Sequence, residues 1–106
     1  MNLPQCAEGS SIQEGELHDA TMQRRVCRIR VMETSGGFYV VAQLRSFADG
    51  EGVSDWFLCT RRDKKRPKLF SRLERLNNRL KEICPGVGFE LVRSQPLPKM
   101  KRLPSG

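Results

Sequence analysis

From Val26 the chain alternates strictly, with Cys27, Ile29 and Val31 on one side and Arg28 and Arg30 on the other. A period of two is the mark of a half-buried strand. Ser35-Gly36-Gly37 follows and tolerates the positive φ of a tight turn. The next run, Phe38 to Ser46, sets Phe38, Val40, Ala42 and Leu44 against Tyr39, Val41, Gln43 and Arg45, so the two runs predict a hairpin. Beyond a glycine- and acid-containing link, Phe47 to Gly52, the aromatic and β-leaning stretch Asp55 to Arg61 predicts a third strand. There Trp56, Leu58 and Thr60 share one face, and Phe57, Cys59 and Arg61 the other. The period then changes, as Leu69, Phe70, Leu73, Leu76, Leu80, Ile83 and Cys84 recur at helical spacing. Two starts suit this helix: Pro67 as its first residue, or a capping box of Ser71 with Glu74. Cys84-Pro85-Gly86 ends it, and Val87 to Arg93 reads as one more short strand.

The resulting order, βββαβ, predicts an α+β domain over residues 23–93, with an antiparallel three-stranded sheet on one helix and a fourth short strand. A right-handed crossover returns that last strand parallel to the third and beside the first, in spatial order 3-2-1-4. The helix stripe of Phe70, Leu73, Leu76, Leu80 and Ile83 would cover the face bearing Cys27, Ile29, Val31, Phe38, Val40, Leu44, Trp56 and Leu58. Residues 1–22 show no sustained period and read as a flexible acidic arm. Residues 94–106, with three prolines, Lys99, Lys101, Arg102 and no acid, read as a flexible basic tail.

At 106 residues, 38% of them hydrophobic, the chain supplies one modest core, so no large internal pocket is expected, and no small-molecule substrate is evident. No apolar run approaches the roughly 18 residues that span a bilayer, and Met1 to Gln5 lacks the regions of a signal peptide. The expectation is a soluble cytoplasmic protein without membrane attachment. Cys6, Cys27, Cys59 and Cys84 form no close pair, which argues against a metal site and for buried, reduced thiols.

The net charge of +7 divides unevenly: residues 1–23 carry −4 and residues 24–106 carry +11. On the sheet face turned from the helix, alternation places Arg28, Arg30, Tyr39, Gln43, Arg45, Phe57 and Arg61, a set without an acid. Arginines neutralise phosphate and fork onto guanine, Gln43 suits adenine, and Tyr39 and Phe57 offer rings to stack on bases. The segment 61–81 adds ten Lys or Arg against Asp63 and Glu74. It contributes Arg61, Arg62, Lys64, Lys65, Arg66 and Lys68 before the helix, and Arg72, Arg75 and Arg79 as a stripe along it. A helix N-terminus beside such a loop favours phosphate.

The basic sheet from Arg28 to Arg61, backed by the helix from Phe70 to Ile83, resembles the arm-type DNA-binding modules of tyrosine integrases and the plant AP2-like domains. That resemblance implies a sheet set in the major groove. Trp56 to Arg61 followed by Leu69-Phe70 and a leucine-spaced helix also looks like small plasmid-borne partition or regulatory accessory proteins. No nucleophile elbow, phosphate-binding glycine loop or HExxH motif occurs, so the expectation is a nucleic-acid-binding protein, DNA before RNA, with neither enzymatic activity nor cofactor. The competing reading is a protein-interaction module or homodimer that uses a sheet edge or the exposed sheet face, where Val41, Phe57 and Val92 would form an apolar patch.

Overall fold

β-Branched and aromatic residues at Gly37–Arg45 form the middle strand of a sheet, and everything else is laid around it. The computed structural model describes residues 8–45 and 52–95. Residues 1–7 with Cys6, Ser46, the expected link from Phe47 as far as Glu51, and the tail from 96 onward lie outside the described residues. The fold is α+β, with a five-stranded mixed sheet and two helices. A 3-10 turn at Glu8–Ser10 leads to β1 (Ser11–Ile12), α1 (Glu14–Met22), β2 (Val26–Thr34), β3 (Gly37–Arg45), β4 (Val53–Leu58), α2 (Leu73–Ile83) and β5 (Glu90–Val92). The spatial order is β1-β4-β3-β2-β5.

β2 and β3 form the expected antiparallel hairpin, and β4 pairs antiparallel with β3. β5 lies parallel beside β2, where a right-handed crossover would bring it. The sheet is nevertheless mixed rather than purely antiparallel, because β5 and β1 are both parallel to their neighbours. One helix face of the sheet buries Ile29, Val31, Val40, Ala42, Leu44 and Leu58 against Leu76, Leu80 and Ile83 of α2, with Phe38, Trp56, Phe70 and Leu73 packed at its margin.

Residues 8–22 correct the expectation of a flexible arm. β1 adds to the sheet beside β4, and α1 buries Leu17 and Ala20 in the same core as α2. The helical pattern of α1 is faint because only these two apolar side chains are needed to seat it, three positions apart and so on one face. Cys27 corrects a second expectation, since it is exposed. The pairing shifts by one between Val26 and Arg28, and this bulge turns Cys27 outward while Val26 takes its place against the core. Cys59 and Cys84 are buried thiols, and burial pushes both up in pKa, which keeps them protonated and inert.

The start of α2 differs from both candidates. The register pairing Val41 with Phe57 would bring residue 60 opposite Phe38, yet Phe38 instead exchanges two backbone hydrogen bonds of 2.8 Å with Phe70. Residues 67–70 are therefore extended, Pro67 bridges Cys59, and α2 begins only after Arg72, an extended N-cap residue with no side-chain cap. Gly37 makes this crossing possible. Its φ is +131°, and an added Cβ would lie 2.7 Å from the Phe70 carbonyl oxygen, inside van der Waals contact. Replacing Gly37 by Ala is expected to lower stability by about 1–3 kcal/mol, read from denaturant midpoints. Gly88→Ala, where nothing lies within 4 Å, should shift stability by no more than about 0.5 kcal/mol.

Candidate nucleic-acid interface

The sheet face turned from the helices carries the predicted residues, but not as an open platform. Tyr39, Val41 and Phe57 are 0% exposed and Met32 is buried beside them, with Val92 packed alongside. The rings of Tyr39 and Phe57 stand 5.9 Å apart at 31° and belong to a second small core. Burial pushes the Tyr39 phenol up in pKa. Neither ring has a surface to offer a base, which corrects the expectation for both. It equally removes Val41 and Phe57 from any exposed apolar patch.

The face also holds acids. Arg28 donates from Nε and Nη2 to the two carboxylate oxygens of Glu90 on β5, both at 2.6 Å. Hydrogen bonding and the charge of Arg28 hold the Glu90 carboxyl below its ordinary pKa. Arg30, whose side chain is 12% exposed, pairs with Asp55 at 2.9 Å. Asp55 has the same strand parity as Phe57 and so was legible as a member of this face, whereas Glu90 arrives only through the β5 pairing. Of the remaining members, Gln43 is half-buried, and Arg45 and Arg61 are exposed. Arg45 sits at the end of β3, where its carbonyl accepts Arg25 Nε at 3.1 Å.

The basic segment forms a different surface. Thr60 and Asp63 shape its loop: the Thr60 hydroxyl donates to the Asp63 carbonyl at 3.0 Å and accepts the Asp63 N–H at 3.1 Å. The Asp63 carboxylate in turn accepts the Lys65 N–H at 2.9 Å. Such side-chain bonds to nearby backbone are what place Thr and Asp in turns. The Thr60 N–H closes the loop on the Arg66 carbonyl at 3.0 Å, and Arg61 is tethered to the start of α1, its carbonyl accepting Gln13 Nε2 at 3.1 Å.

The first turn of α1 supplies acids to this surface. Glu14, 8% exposed, bonds Lys68 on one oxygen and Arg79 on the other, the latter from Nε at 2.5 Å. The bond to Glu14 turns Arg79 toward α1 instead of extending the arginine stripe into solvent, and Arg79 also donates to Glu82 of its own helix at 2.7 Å. Lys64 lies 3.4 Å from Glu16, and Arg66 lies 3.6 Å from Asp63. Among the described residues no acid pairs with Arg61, Arg62, Lys65, Arg72 or Arg75. All of these except the half-buried Lys65 are exposed. A cleft of about 220 Å³ lined by Glu14, His18, Arg61, Arg79 and Glu82 lies beside them, its acids and cations in rough balance.

Nine of the fifteen predicted residues thus fall on the loop and helix and the rest on the sheet. Pairing separates those that remain open to a ligand from those spent within the fold. The chain matches no protein-family model, and no similar curated protein or solved structure is found. No described helix is long and apolar enough to cross a membrane.

Burial raises the Glu14 pKa, but the hydrogen bonds and charges of Lys68 and Arg79 outweigh it and hold the carboxyl below its ordinary value. A depressed folded-state pKa contributes stability above the unfolded value, roughly 4.3, and that contribution is lost as pH falls through the folded pKa. Glu14→Gln is accordingly expected to cost about 1–3 kcal/mol at pH 7. The gap from the parent protein should narrow in denaturant titrations below about pH 4.3.

Proposed function

We propose that this protein binds nucleic acid, duplex DNA in the first place, through the loop 61–68 and the first turn of α2. The single observation behind this reading is the set of five cations within 61–75, Arg61, Arg62, Lys65, Arg72 and Arg75, that have no acidic partner among the described residues. In a fold that pairs Arg28, Arg30, Lys68 and Arg79 internally, cations left unpaired on one continuous segment suit a polyanion. Arg72 and Arg75 lie at the start of α2, where unbonded helix N–H groups and the helix dipole add to their attraction for phosphate.

The contact is to the backbone and not to base faces. Phe38, Trp56, Phe70 and Phe89 pack against the main core and Tyr39 and Phe57 form the second, so the described rings are engaged in the fold. A duplex, which displays its phosphates and stacks its bases inward, fits such a surface better than a single strand read by stacking. The competing idea of a β-edge partner has less to work with, because the edge strands β1 and β5 are only two and three residues long, a length that discourages strand addition.

Fluorescence anisotropy with a labelled duplex at several salt concentrations tests the reading. With four or five phosphates neutralised, log affinity should fall against log salt with a slope of about −4. Arg72→Ala with Arg75→Ala should weaken binding and flatten that slope by about 2. Arg30→Ala should instead lower thermal stability, leaving the slope unchanged. A slope near zero, or a double variant that binds like the parent, would sink the proposal.

A further inference from the structure

The acids of α1 occupy the same surface as the cations proposed to meet phosphate. Glu16 is the informative one, since Glu14 is buried and holds the fold together, whereas the Glu16 side chain is half exposed and its partner Lys64 about as open, 51% against 39%. The Glu16 carboxylate does two things with one oxygen: Oε1 accepts the Gln13 backbone N–H at 3.0 Å, as in a capping box, and lies 3.4 Å from Lys64 Nζ. Gln13 in turn bonds the Arg61 carbonyl. One short turn of helix therefore sets a negative charge beside both Lys64 and the loop that begins at Arg61.

We infer that Glu16 is a built-in competitor for the anionic ligand, lowering the affinity of the basic loop by occupying it with the protein's own carboxylate. The inference rests on the nucleic-acid reading of the preceding section. A phosphate approaching Lys64 or Arg61 meets the field of Glu16 and must either displace the carboxylate or bind against it. The attraction among exposed charges is weak and screened within about 10 Å at 0.1 M salt, so the pair is loose enough for phosphate to displace it. The loop and α1 stay joined without it, through Gln13 to Arg61 and through Glu14 to Lys68 and Arg79.

Chemistry permits a clean test, because glutamine at this position also accepts the N-cap N–H. Glu16→Gln removes the charge and keeps the cap, while Glu16→Ala removes both, and thermal melts of the full chain record what the cap itself contributes. Affinity for a labelled duplex is measured by anisotropy at 50 and 150 mM salt for the parent, both variants and the Arg72→Ala, Arg75→Ala protein. Glu16→Gln should bind about 3- to 10-fold more tightly at the lower salt, as a charge change at the contact warrants. The gain should shrink at the higher salt, and Glu16→Ala should share it despite any loss of stability. Parent and Glu16→Gln proteins that bind equally, or a variant that binds more weakly, would overturn the inference and leave the nucleic-acid reading standing. Salt-independent binding, or none by any of the proteins, would remove that reading and the inference with it.

Discussion

The constraint on which this fold depends is that β3 is buried on both faces. Four consecutive residues, Tyr39, Val40, Val41 and Ala42, are 0% exposed. Alternation sends Val40 and Ala42 toward the helices and Tyr39 and Val41 to the opposite side. A central strand with two dry faces needs neighbours on both edges and apolar cover on both sides. The strands around it follow, β4 and β2 flanking it and the short β1 and β5 closing the edges. So does the crossing of Phe70, which takes up the backbone of Phe38 where β4 has turned away. An unpaired backbone group at the edge of a buried strand costs about 1–3 kcal/mol, and the Phe70 bridge meets that demand.

The same constraint disposes of the charges. Arg30 projects from β2 onto a face that also holds Tyr39, Val41 and Phe57, where a guanidinium needs a carboxylate, and Asp55 supplies it. A partly buried ion pair of this kind is weak evidence for net stability, but leaving either partner alone is costly. Glu14 plays the corresponding part between the helices, where two cations from the β4–α2 connection and α2 converge on one buried carboxylate. Among the cations spared from these duties, Arg61, Arg62, Lys65, Arg72 and Arg75 lie on the loop and at the start of α2. Their availability is thus a by-product of how the two cores are sealed.

Pattern alone made the hairpin, the third strand, α2, its end and the position of β5 legible, because each carries either a sustained period or a punctuating Gly or Pro, and handedness limits where a crossover strand can return. It also determined that residues 24–106 are strongly basic and that most of that charge gathers in 61–81. Tertiary structure decided what the charges do. Local alternation assigns a residue to a face but cannot say whether that face is wet, so Tyr39 and Phe57 read as an exposed platform until the second core is seen. Nor can it bring Glu90 to Arg28 or Glu14 to Lys68 and Arg79, since these partners stand 62, 54 and 65 positions apart. The acidic N-terminal residues carried too few apolar side chains to register as a helix, yet two buried positions and one buried carboxylate suffice to seat α1 when a sheet and a second helix are already there to receive them.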